Sequence, residues 1–122
     1  MKKIHTDHAP AAIGPYSQAW TTAGLVFTSG QIPIDPDTGN APEGISAQAE
    51  QSCKNVAAIL NAAGSDLNRV VKTTCFLADM ADFAAFNEVY AKYFTGNPAR
   101  SCVAVKTLPK GLLCEIEAIA EV

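Results

Sequence analysis

The stretch ISAQAEQSCKNVAAILNAAGSDLNRVVKTTCFLA, residues 45–78, decides the fold, because its hydrophobic period changes part-way along. Ile45, Ala49, Cys53, Val56, Ala57, Leu60 and Ala63 recur at the spacing of one helix face. Gln48, Glu50, Gln51, Lys54 and Asn55 fall between them and read as the wet side. Ser46 has the chemistry of an N-cap and Gly64 that of a residue just past a C-terminus, which predicts a helix over 46–63. After a turn around Asp66-Leu67, residues 70–78 (VVKTTCFLA) are rich in β-formers and read as a strand.

Working outward, residues 2–6 read as an edge strand, and Pro10 and Gly14-Pro15 then break the chain. Residues 17–22 alternate loosely, and the Ala23-Gly24 turn leads into the β-rich run LVFTSG at 25–30. Residues 31–44 form a loop, with Pro36-Asp37-Thr38-Gly39 as a turn inside it. Downstream, Asp79 suits the cap of a second helix carrying Phe83, Phe86, Val89, Tyr90 and Tyr93 or Phe94. Gly96-Asn97-Pro98 stops that helix. Strands over 101–107 and 113–122 follow, joined by Leu108-Pro109-Lys110-Gly111. The predicted order is β-β-β-α-β-α-β-β in a single domain, 1–122: an α+β fold with two helices against one face of a mixed β-sheet.

Composition removes several function classes. The 122 residues are 48% hydrophobic and 17% charged, which suits a globular domain with its own core. The net charge is −3 and only Arg69 and Arg100 are arginines, a poor basis for binding nucleic acid through its phosphates. No apolar run reaches the roughly 20 residues of a spanning helix, and the polar start MKKIHTDHAP lacks the core of a secretory signal. A soluble, cytoplasmic protein is expected. Cys53, Cys75, Cys102 and Cys114 lie in apolar segments, without a C-x-x-C and away from His5 and His8 in sequence, so at least three of the four read as buried, reduced packing residues, and no zinc site is expected.

Arg100 opens a predicted strand directly after Asn97-Pro98-Ala99, where a sheet can hold its backbone while the guanidinium projects. Alone it reads first as a surface arginine beside a turn. Cys102 shares its face, and Ser101 points the other way. Glu115 and Glu117 share a face of the last strand, as a solvated surface or, if near the arginine, as a holder of water. Tyr16 follows Gly14-Pro15 on a tight turn and by default packs. Thr28-Ser29-Gly30 lacks the context of a nucleophile elbow, and no phosphate loop is present.

The segments AIGPYSQ (12–18), TSGQIP (28–33), VKTTCFL (71–77), NEVY (87–90), PARSCV (98–103) and EIEAIA (115–120) occur in this order. Together they resemble the Rid family of reactive-intermediate (imine/enamine) deaminases, its RidA branch, over essentially the whole chain. The resemblance implies a chorismate-mutase-like fold and a homotrimer with clefts between subunits. It also implies cofactor-free hydrolysis of 2-imino acids to 2-oxo acids and ammonia. Carried over by position, Arg100 grips the substrate carboxylate and Glu115 holds the attacking water. Tyr16 and Ser29 line the cleft, Gly30 and Cys102 offer backbone hydrogen bonds, and Asn87 shapes the wall. A nearby guanidinium favours a thiolate, and the reactivity of Cys102 is left open by the sequence. A carboxylate-sensing module without turnover, and a ribonuclease or translation inhibitor, are the competing readings.

Overall fold

In the computed structural model, which describes residues 1–122, the first three strands form a meander. Ala23 and Gly24 both take positive φ (51° and 78°), the geometry of a type I′ hairpin turn. They join β2 (Ala19–Thr22) to β3 (Leu25–Thr28), and β1 (Lys2–Ile4) pairs with the other edge of β2. Then come α1 (Ile45–Ala62), β4 (Val70–Leu77), α2 (Phe83–Tyr93), β5 (Ala99–Ala104) and β6 (Cys114–Glu121). The sheet order is β1-β2-β3-β6-β4-β5. All pairs are antiparallel except β4–β5, which run parallel because α2 carries the chain back between them.

The predicted α+β order is therefore borne out, with two local corrections. Gly44, not Ser46, occupies the N-cap of α1 and makes no side-chain cap. Gln48 and Asn55, read as solvent-facing, are 7% and 1% exposed. Gln48 Nε2 donates to the Pro42 carbonyl (3.0 Å), and its Oε1 accepts from the Leu113 amide (2.8 Å). Asn55 Nδ2 donates to the carbonyls of Ile32 (3.1 Å) and Ile34 (2.9 Å). Loops lying over the helix carry backbone groups with no ladder partner, and these amides satisfy them. Gly64, at φ 83°, sits just past the helix end as predicted. Asp79 caps a single 3₁₀ turn, Met80–Asp82, that feeds α2.

Strand β6 alternates cleanly. Cys114, Ile116, Ala118 and Ala120 are buried in the core, which also takes in Cys53, Val56, Ile59 and Leu60 of α1 and Phe86 and Tyr90 of α2. Glu115, Glu117 and Ile119 point to the opposite face, which no helix covers. That open face carries Trp20 and Phe27, cross-strand partners 37% and 40% exposed, and Val103 at 47%. All four cysteines are free; Cys53, Cys75 and Cys114 are buried and Cys102 is half-buried. No helix is long and apolar enough to cross a membrane.

Candidate active site in two halves

The first half surrounds Glu115. A cavity of about 730 Å³ opens between the N-terminal segment and the loop after β3, with Tyr16, Gly30 and Glu115 in its lining. Its outer wall has no strand to hold it. Gln18, 2% exposed, does so instead: Nε2 donates to the carbonyls of Thr6 (3.0 Å) and Pro10 (2.9 Å), and Oε1 accepts from the Thr6 amide (2.7 Å). On the inner side Gln31 pairs its backbone with Ile116 in both directions, at 2.7 and 3.1 Å, which sets Gly30 beside Glu115. Burial raises the Glu115 carboxyl above its ordinary value, and the neighbouring charge of Glu117 adds to the shift. A half-buried carboxylate held closer to neutrality is suited to accepting a proton from water.

Gly30 is required here by close approach, since its φ is not positive. A Cβ on it would lie 2.7 Å from both Cδ and Oε2 of Glu115. Gly30→Ala is thus expected to push the Glu115 carboxylate aside while leaving the fold intact, because the displaced atoms end a flexible side chain. A fall in turnover of tenfold or so, with an unchanged melting temperature, is the outcome to look for. Ser29 lies beside this cavity without lining it, and its hydroxyl donates to the Ser17 carbonyl at 2.6 Å.

The second half surrounds Arg100. Thr73 and Arg100 are register partners on the parallel strands β4 and β5, so the arginine points to the helix side of the sheet. There its Nη1 donates to Asn87 Oδ1 at 2.8 Å. Its Cζ lies 4.7 Å from the Tyr90 ring centroid and 5.5 Å from that of Phe83. Asn87 thus holds the arginine in addition to flanking it. Cys102 shares this face as predicted, but its thiol pKa is raised. Desolvation there outweighs the guanidinium, so burial favours the thiol over the thiolate.

Within one chain the halves do not meet. Glu115 pairs with Phe76 on the open face, while Arg100 stands level with Thr73 and Ala118 on the helix face. The sheet separates the carboxylate from the arginine, so Glu117 and Glu115 have no guanidinium beside them in their own chain. The sequence gives no role to Gln18 beyond its place in the 12–18 segment, and Phe83 and Tyr90, which pack in and against the core, also face Arg100. Their spacing with Asn87, at i, i+4 and i+7, was the available signal that all three share a helix face with one purpose.

The family model described as endoribonuclease L-PSP matches residues 6–122. The chain belongs to this family. Among other members, a 2-iminobutanoate/2-iminopropanoate deaminase of Salmonella typhimurium is 54% identical over 123 residues, with 98% of this chain and 96% of that protein covered. A RutC family protein of Pasteurella multocida is 54% identical over 124 residues, at 98% and 96% coverage. The solved structure of Escherichia coli TdcF with bound serine matches with a TM-score of 0.96 at 48% identity, covering 100% of this chain and 99% of that one. The Rid resemblance read from the ordered motifs and the α+β architecture are both borne out by these relatives.

Proposed function

We propose that this chain is a cytoplasmic deaminase that hydrolyses 2-iminopropanoate (with its tautomer 2-aminoacrylate) and 2-iminobutanoate to 2-oxo acids and ammonia. The sites lie between the subunits of a homotrimer. The observation that carries the reading is the division of the site. Arg100 and Glu115 stand on opposite faces of one sheet, and neither has an ion-pair partner in its own chain. A second copy brings the two faces together, and the exposed Trp20, Phe27 and Val103 of the open face give such an assembly apolar surface to bury. The deaminase name borne by the Salmonella relative supports the same substrate class.

In this reading Arg100 of one subunit binds the substrate carboxylate, with Asn87 holding the guanidinium. Water attacks the imine carbon as Glu115 of the neighbouring subunit accepts its proton. The C–O bond forms and the C=N pair moves to nitrogen, giving a carbinolamine. The proton passes from Glu115 to nitrogen, the C–N bond breaks, and ammonia leaves as the hydroxyl gives its proton back to Glu115 and the C=O bond closes; ammonia carries that proton away as ammonium. A protonated imine is already electrophilic, so holding it beside water supplies several kcal/mol of the barrier, on the order of what effective molarities provide. Tyr16, Ser29 and the backbone of Gly30 and Cys102 shape the cleft.

The test generates 2-aminoacrylate with a serine dehydratase and traps surviving imine as its semicarbazone. Micromolar protein is expected to shorten the imine lifetime. An unchanged lifetime together with calorimetric binding of 2-oxobutanoate would replace this reading by a carboxylate-sensing module.

A further inference from the structure

The rings beneath Arg100 form a closed mechanical loop with its own strand. Thr73, fully buried on β4, is the register partner of Arg100. Thr73 Oγ1 hydrogen-bonds the Tyr90 hydroxyl at 2.7 Å, and the Tyr90 ring stacks on Phe94 at 4.5 Å between centroids. The same ring lies under the Arg100 guanidinium. Phe83 adds a second aromatic contact, and Asn87 takes an N–H from one edge. The guanidinium is thus held over two rings and by one hydrogen bond before any ligand arrives, with N–H groups left over.

We propose that Phe83 and Tyr90 are positioning residues that pre-set the plane of Arg100 for two-pronged contact with a carboxylate. This rests on the reading of Arg100 as the substrate's carboxylate anchor. The physical gain is entropic. A free arginine must freeze several rotors on binding, whereas one laid on aromatic faces has already lost them. Planarity matters because a guanidinium meets a carboxylate edge to edge, and a ring face holds that plane in a way a point contact cannot. The role is distinct from packing, because it acts on ligand affinity through an orientation rather than through stability.

The test compares Tyr90→Leu, Tyr90→Phe and Phe83→Leu with the parent by calorimetric titration with 2-oxobutanoate and by steady-state kinetics on 2-iminopropanoate. Both leucine variants are expected to weaken Kd and raise KM by roughly tenfold, with kcat within about twofold. Tyr90→Phe keeps the ring but strands the Thr73 hydroxyl, so it should lose melting temperature while retaining the parent's Kd and KM. Phe83 is only half-buried, so Phe83→Leu carries the test if Tyr90→Leu does not fold. An unchanged Kd in Phe83→Leu overturns the proposal, as does a Tyr90→Phe variant whose Kd and KM shift as far as those of Tyr90→Leu. A parent that binds no 2-oxobutanoate overturns it too. A parent that binds 2-oxobutanoate but leaves imine lifetime unchanged overturns only the deaminase reading, and the calorimetric series still decides the role of the rings.

Discussion

Arg100→Ala is expected to lower kcat/KM for 2-iminopropanoate by about thirtyfold to a few thousandfold without loss of fold. Removing one member of a desolvated, hydrogen-bonded charge pair costs about 2–5 kcal/mol, and each 1.4 kcal/mol or so is a factor of ten. The fold survives because Arg100 is half-buried on the edge strand β5 and outside the main core. Asn87, which loses its donor, is also only half-buried and can turn to water. Steady-state kinetics with a matched thermal melt checks both parts, and a variant retaining more than a tenth of parental kcat/KM would remove Arg100 from the site.

The same variant tests where the site is assembled. If each site takes Arg100 from one subunit and Glu115 from the next, two inactive variants complement each other. Refolding Arg100→Ala together with Glu115→Gln in equal amounts gives mixed trimers, each with one site that draws both intact residues from different chains. Random mixing makes three-quarters of the trimers mixed, so about a quarter of parental activity should return. A site contained in a single chain would return none. This outcome distinguishes a divided site from a remote effect of either substitution, because neither variant alone can supply the missing group.

That Arg100 and Glu115 fall on opposite faces of one sheet is not legible in the sequence, for a physical reason. Strand alternation correctly put Cys102 with Arg100, and Glu117 with Glu115, because side chains two apart on a strand share a face. Alternation within a strand says nothing of which face that is relative to another strand. That depends on register, and β4 joins β5 and β6 only in three dimensions. The period change across residues 45–78 revealed the helix–strand core, since burial of one face leaves a mark at every turn. Gln18, Gln48 and Asn55 leave no such mark. A buried amide and an exposed one are the same letter, and the loops whose carbonyls and amides they satisfy become their partners only once the chain has closed over them.

Glu115→Gln is expected to cost about 10²- to 10⁴-fold in turnover, the usual range for a group that moves a proton in the transition state, while making the protein more stable at neutral pH. The sign follows from the raised carboxyl. In the unfolded chain Glu115 titrates in the ordinary range, whereas in the folded chain burial and Glu117 keep the proton on to higher pH. Between those two values the native state binds more protons than the unfolded one, so stability falls as pH rises through the window, and the cost is complete above the folded value. Glutamine keeps the shape beside Gly30 and carries no charge. The gain in melting temperature of Glu115→Gln over the parent should therefore be near zero in acid, grow through the carboxylate range and level off by neutral pH. The acid limb of the parent's turnover, lying above the ordinary Glu value, should vanish in the variant's residual activity. A stability difference that does not change with pH would mean that the carboxylate is already well solvated, and with it would go the argument that burial primes Glu115 to take the proton from water.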